Sequence, residues 1–266
     1  MFKDLYRYRY LLREIVVKNI KIQYRNSVLG IFWTFLQPLL TTIVLVLVFG
    51  GMFGNQSAAL VNYPTYLLCG RLLYEFYTQS TKRAMRSITL SASVIKKVYV
   101  PKYIYPLANV ISTFVTFLIS LVVLVGFIFY FIVFTDTPMR VTPYALLAWV
   151  PLVILFITCL GVGLILATLS VFFKDIEYLY DVFCMLLFYF TPIFYNVKTL
   201  KVSPMVQRAL LANPMYSIVS MFRSCVLFGE MWNWHWFWYS LGFSIVMLLL
   251  GTLIFFKKQD KFILHI

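Results

Sequence analysis

Residues 16–50 read VVKNIKIQYRNSVLGIFWTFLQPLLTTIVLVLVFG, and the change of character inside that stretch decides the fold. Lys18, Lys21 and Arg25 crowd its first half, and from Asn26 to Gly50 no residue carries a charge. An α-helix needs about 20 apolar residues to cross about 30 Å of hydrocarbon. The cationic run before it has the opposite need, for water or anionic headgroups. A chain that lies along a membrane surface and then turns through it meets both requirements. Gly30 stands close to the expected bend, and Trp33 falls where an indole sits at headgroup depth.

On a helical wheel the residues before the bend sort by chemistry. Lys3, Arg7, Glu14, Lys18, Lys21 and Arg25 fall within about 60° of one another, with Leu5, Leu12, Val16 and Ile20 on the far side. The pattern predicts an amphipathic interface helix within residues 1–30, its basic face turned toward anionic lipid.

The rest of the chain agrees with a bilayer as solvent. Of 266 residues 62% are hydrophobic and only 12% charged, against about 25% charged in soluble domains. Six apolar runs are expected as transmembrane helices, at 31–53, 63–81, 103–134, 143–172, 179–197 and 235–256. They leave no room for a soluble domain, so residues 1–266 read as one all-α membrane domain ending in a short tail, 257–266. A cleavable signal peptide is not expected, because the first apolar run is too long and begins too late.

The formal charge of +14 does not read as nucleic-acid binding, because the cations are grouped between apolar runs. Most of the 23 Lys and Arg fall on one side of the six runs, and Arg140, Lys198, Lys201, Arg208 and Arg223 fall on the other. Cationic loops stay in the cytoplasm. The bias predicts a multi-pass protein of the cytoplasmic membrane with both termini inside.

Two loops are more than connections. The inner loop between the second and third runs contains SASVIKKVYVP, which predicts a short amphipathic helix ended by Pro101. Such a helix suits a partner's groove. The outer segment VSPMVQRALLANPMYSIVSMFRSCVLFGEMWNW is too apolar for an ordinary loop, and each half is too short to span. Asn213 before Pro214 predicts a helix start, and the two halves read as a re-entrant hairpin, tolerable where protein or a water-filled path covers it.

Few residues carry chemistry. Arg71 and Glu75 stand one helical turn apart and can neutralise each other inside the second run. Tyr63, Tyr66, Tyr74 and Tyr77 share its helical spacing and are expected to offer a wall of ring faces and hydroxyls along which a sugar chain slides. Cys69, Cys159, Cys184 and Cys225 lack metal-ligand spacing and read as small apolar residues. His235 and His265 are far apart, and no acid–base cluster or phosphate-binding loop is present, so neither catalysis, metal binding nor ATP binding is expected of this chain.

Five blocks in order carry a resemblance over nearly the whole length: LLREIVVKNIKIQYRNSVLGIFWTFLQPLL, SVIKKVYVPKYIYPLANV, FFKDIEYLYDVF, TPIFYNV and ANPMYSIVSMFR. The chain resembles the membrane subunit of bacterial ATP-binding-cassette exporters that move lipid-linked O-antigen, capsule or teichoic acid. The first block carries the family's Tyr-Arg-x-Ser-x-Leu-Gly run at Tyr24 and Arg25, ahead of Trp33. The resemblance implies two copies of this subunit, two copies of a separate ATPase that holds ATP and magnesium, and a polyprenyl-linked glycan as substrate. It places the ATPase contact at Ser93, Val94, Ile95, Lys96, Lys97, Val98 and Tyr99, with a second contact at Lys174, Asp175 and Glu177. It places an exit gate at Arg208, Asn213, Pro214, Tyr216 and Arg223, and a channel along Trp33 and the Tyr63–Tyr77 helix. The family often has Trp where this chain has Tyr74. Rival readings are an exporter of a drug or small lipid, a membrane enzyme acting on a glycolipid, and a carrier independent of ATP.

Overall fold

A computed structural model describes residues 6–25, 27–58, 62–98, 100–135, 142–197 and 203–264. Lys3, Leu5, Tyr99, Arg140, Lys198, Lys201 and His265, singled out above, lie outside the described residues. All regular structure among the described residues is helical.

Helix α1 (Arg9–Tyr24) leaves Lys18 and Lys21 exposed, as are Arg7 before it and Arg25 after it. Gly30 has a φ of 51°, a left-handed conformation strained for any residue with a Cβ. It opens a 3-10 turn, Gly30–Phe32, that feeds α2 (Trp33–Ala58). The bend expected near Gly30 is built into its backbone. There follow α3 (Tyr63–Leu90), the single turn α4 (Ala92–Ile95), α5 (Ile104–Phe134), α6 (Trp149–Phe172) and α7 (Ile176–Phe190). The chain ends with α8 (Pro204–Leu211), α9 (Pro214–Arg223), α10 (Trp234–Lys258) and a 3-10 turn, Gln259–Leu264.

Among the described residues, four helical stretches are long and apolar enough to cross a membrane: Gly30–Gly51, Ile104–Phe134, Pro143–Phe172 and Trp234–Leu264. The pair Pro204–Leu211 and Pro214–Phe228, bent by 74°, makes a fifth if counted as one span. Two of the six expected spans miss these criteria for different reasons. Helix α3 has the length, 28 residues, but carries Arg71, Glu75, Lys82, Arg83 and Arg86. Helix α7 has only 15 residues, about 22 Å at 1.5 Å per residue. Thr191 turns extended ahead of Pro192, as a residue before proline tends to. Residues 191–197, expected as the end of the fifth span, are therefore not helical.

Helix α3 is the hub, packing on α2, α5, α6, α7 and α9. The main core gathers Leu68, Leu72 and Phe76 of α3 with Phe117 of α5, Leu155 of α6 and Ile218 of α9. Helices α6 and α10 pack backbone to backbone where Gly161 meets Gly251. A second core, at the end that carries both α1 and the C-terminal turn, joins Ile88, Ile95, Ile104, Val171, Phe255 and Phe262. Tyr8, Leu12 and Ile15 of the N-terminal segment lie against it. Part of the apolar face of α1 thus rests on protein. The four cysteines are free and buried, as small apolar residues would be.

Candidate functional site

Three zones carry the residues singled out in the sequence. The first is the foot of the bundle, where α4 sits. Ile95 is buried in the second core and anchors the turn, while Ser93, Val94, Lys96, Lys97 and Val98 are exposed around it. Leu90, Val94 and Val98 add uncovered apolar surface to the two lysines. Lys174 and Asp175 are also exposed. Glu177, grouped with them in the sequence reading, is already engaged: its Oε2 lies 2.8 Å from Arg86 Nε of α3. One turn along, Lys82 Nζ stands 2.7 Å from Asp181 Oδ1. These pairs tie α3 to α7.

The second zone lies along α3. Tyr63, Tyr66, Tyr74 and Tyr77 do not form an open wall, since all four are buried. Tyr66 Oη donates to the carbonyl of Tyr195 at 3.3 Å, and Tyr74 Oη to that of Cys184. The Tyr74 ring lies 5.1 Å from that of Phe188. Tyr180 Oη donates in return to Thr81 Oγ1 at 2.7 Å. The spacing that gathers Tyr66 and Tyr74 marks a face of α3 that packs on α7 and the segment after it.

Between α2, α3 and α7 a cleft of about 520 Å³ remains, lined by Thr41, Arg71, Tyr74, Glu75, Thr78 and Phe188. Arg71 Nε stands 3.9 Å from Glu75 Oε2, the pair expected from their spacing. Glu75 Oε1 also accepts from Gln37 Nε2 at 3.3 Å and Gln79 Nε2 at 2.9 Å. Neither glutamine was singled out above. Gln79, one turn beyond Glu75, was readable as its partner, whereas Gln37 arrives from another helix. Trp33, at the start of α2 and 42% exposed, does not line this cleft.

The third zone is at the far end. Asn213 caps α9, its Oδ1 accepting from Met215 N at 2.9 Å, with Pro214 in the first turn, as the Asn-Pro pair predicts. Its Nδ2 donates to Phe190 O at 3.3 Å and to Thr191 Oγ1 at 3.0 Å. Arg223, expected as an outward cation beside an exit, is instead inside the protein, 4% exposed. It donates to the carbonyls of Pro192 at 2.8 Å and of Tyr66 and Ile193 at 3.0 Å each. A helix that stops inside an apolar core strands its last carbonyls, and non-helical backbone at such depth survives only when protein satisfies it. Asn213 and Arg223 supply those donors. Gly70 leaves the space, since a methyl group there would collide with the Arg223 guanidinium. Tyr216 is half-buried with its ring 5.1 Å from that of Trp236, and Arg208 on α8 is exposed.

Among the described residues no three His, Cys, Asp or Glu side chains gather as a metal centre would require. What the zones offer is an exposed foot, a charged cleft and a braced pair of short helices at opposite ends of one bundle.

Known proteins are similar to this chain in sequence. A family model described as ABC-2 type transporter matches residues 10–227. The chain is 28% identical over 256 residues to the O-antigen export system permease protein RfbA of Klebsiella pneumoniae, covering 95% of this chain and 93% of that protein. It is 25% identical over 264 residues to the protein of the same name from Myxococcus xanthus, covering 98% and 97%. It is 26% identical over 243 residues to the capsule polysaccharide export inner-membrane protein CtrC of Neisseria meningitidis serogroup A, covering 91% and 86%.

Proposed function

The chain belongs to the ABC-2 type transporter family, and from that premise we propose that it is the membrane subunit of an ATP-driven exporter of a lipid-linked polysaccharide. Its relatives are named for O-antigen and capsule export. Their similarity along nearly the full length, rather than over one motif, supports carrying the same substrate class to this chain. The exporter sits in the bacterial cytoplasmic membrane as two copies of this subunit with two copies of a separate ATPase, which binds ATP and magnesium.

Six crossings complete the arrangement: α2, α3, α5, α6, α7 with the segment 191–197, and α10. Helix α3 crosses despite its charges because it lies at the centre of the bundle, where Arg71 and Glu75 partner each other away from lipid. Helix α1 lies in the inner interface and both termini are cytoplasmic. Helices α8 and α9 form a re-entrant hairpin from the outer side, its second arm braced by Arg223 and Asn213.

The observation that supports this reading most is the foot. Ile95 is locked in the second core while Val94, Lys96, Lys97 and Val98 are uncovered. A turn rigid on one side and open on the other suits a coupling element, since a push on its exposed face moves the core behind it. Lys174 and Asp175 give a second contact, and Glu177 passes movement of α7 to α3 through Arg86. ATP-driven closure of the ATPases draws the two feet together, and the cleft holding Arg71 and Glu75 opens toward its counterpart in the second copy. The glycan then crosses while its lipid enters from the side.

Purification with and without the ATPase tests this. Glycolipid-stimulated ATP hydrolysis is expected in the joint complex and not in the ATPase alone, and transport by this chain without the ATPase would overturn the reading. Lys96→Ala with Lys97→Ala is expected to separate hydrolysis from export while the protein stays in the membrane. Normal surface glycan in a strain lacking the gene would favour the rival drug or lipid exporter.

A further inference from the structure

A second opening lies on the other side of α2 and α3, toward α5. It is a recess of about 220 Å³ whose walls include Thr34 and Gln37 of α2, Glu75 and Gln79 of α3, and Thr113 and Thr116 of α5. Polar side chains converging inside a membrane-spanning bundle are costly unless they serve a ligand or a path. The recess is built on a helix defect. Pro38 has no N–H, so the carbonyl of Thr34 loses its helical donor, and Ser120 Oγ of α5 reaches it at 3.3 Å instead.

The polar lining limits what the recess can hold. Glu75 Oε1 takes two amide donors, from Gln37 and Gln79, which holds both glutamine side chains at the recess wall with their carbonyl oxygens as acceptors. Thr113 and Thr116 donate to the carbonyls of Asn109 and Ser112, leaving their oxygens as acceptors. Arg71 sits 3.9 Å from Glu75 Oε2 and offsets its charge, which disfavours a cation. The carboxylate itself disfavours an acid. A neutral molecule bearing several hydroxyls suits both conditions, and Trp33 in the wall adds ring surface for the apolar face of a pyranose.

We propose that this recess binds one uncharged sugar unit through its hydroxyls, and that it selects neutral over acidic sugars. Assigning the natural ligand to the exported glycolipid rests on the export reading, but the binding itself does not.

The test uses the complex with its ATPase in a detergent without sugar, and a glucoside amphiphile carrying a diazirine beside the glucose. After irradiation, peptides containing Thr34–Gln37 and Thr113–Ser120 are expected to carry the label. Gln37→Leu and Thr116→Val should each lower labelling about fivefold, the loss of roughly one neutral hydrogen bond. A glucuronide-headed probe should label less. Co-elution of each variant with the ATPase shows that it has folded. Equal labelling by a sulfobetaine of the same tail, or unchanged labelling in both variants, would overturn the proposal. Within a positive result, competition by methyl glucoside assigns the site to free sugar, and competition by glycolipid alone assigns it to a lipid-linked headgroup. Labelling needs no ATP. Export without sugar binding would therefore sink this inference alone, and sugar binding without ATP-driven export would sink the export reading alone.

Discussion

The guanidinium carbon of Arg223 lies 3.5 Å from the ring centroid of Tyr66, and the same side chain donates to the Tyr66 carbonyl. Helix α9 is thereby fastened to α3 and, through Pro192 and Ile193, to the frayed end of α7. Arg223→Leu leaves the non-helical carbonyls of Pro192 and Ile193 without this donor, each worth about 1–3 kcal/mol when buried, while the Tyr66 carbonyl, inside α3, keeps its helical partner. Arg223→Lys rescues little, because one ammonium cannot match a planar fork over a ring. Thermal unfolding in detergent should show a large fall in midpoint for both variants. Gly70→Ala, which pushes on the same guanidinium, should fall less. An unchanged midpoint for Arg223→Leu would contradict the bracing role.

The pairs Lys82–Asp181 and Arg86–Glu177 give a prediction with a different readout. All four side chains are partly exposed, so each pair contributes about 0.2–1 kcal/mol and little stability is at stake. Their effect is on the register between α3 and α7. Charge reversal at either member, Arg86→Glu or Glu177→Arg, should lower coupled export with little change in unfolding midpoint. The double exchange should return most of the activity. A double variant no better than either single one would remove the pair from the mechanism.

Asn213 does two things that substitutions can separate. Asn213→Ala loses the cap of α9 and the bonds to Phe190 and Thr191, and loss of the cap alone costs about 0.5–2 kcal/mol. Asn213→Ser keeps an oxygen for the cap but loses the amide that reaches α7, so it should recover only part of the midpoint. Full recovery by serine would mean that the bonds to α7 contribute nothing.

Local signals in the sequence translated well. The charge-to-apolar change after Arg25, the glycine at the bend, the Asn-Pro start of α9 and the apolar cysteines all appear in the structure, because each depends on a residue and its near neighbours. The effect of Pro192 was missed: the apolar run through Val197 suggested a span to 197, whereas the helix ends at Phe190. What could not be read was partnership. Helical spacing puts the four tyrosines together but does not say that α7 covers Tyr74. A lone Arg223 in an apolar segment reads as an outward cation until three carbonyls from distant parts of the chain are placed around it. Gln37 and Ser120 meet α3 and α2 only after folding.

Contrasting glycines test the packing argument. A Cβ on Gly161 would stand 2.5 Å from the backbone nitrogen of Leu248, and one on Gly251 would meet the Gly161 carbonyl. Backbone cannot swing aside as a side chain can, so α6 and α10 must separate. Overpacking of this kind costs about 1–3 kcal/mol. Gly126 and Gly242 are also helical, but a Cβ on either meets nothing within 4 Å. Alanine there removes only backbone freedom, a gain of about 0.5–1 kcal/mol within a helix. Gly161→Ala and Gly251→Ala should therefore lower the unfolding midpoint, while Gly126→Ala and Gly242→Ala leave it unchanged or raise it. The pair of destabilising changes should not add, since either one alone already parts the same two helices. If all four variants shifted the midpoint alike, glycine would matter here only for flexibility, and the close crossing of α6 and α10 would not be what holds them together.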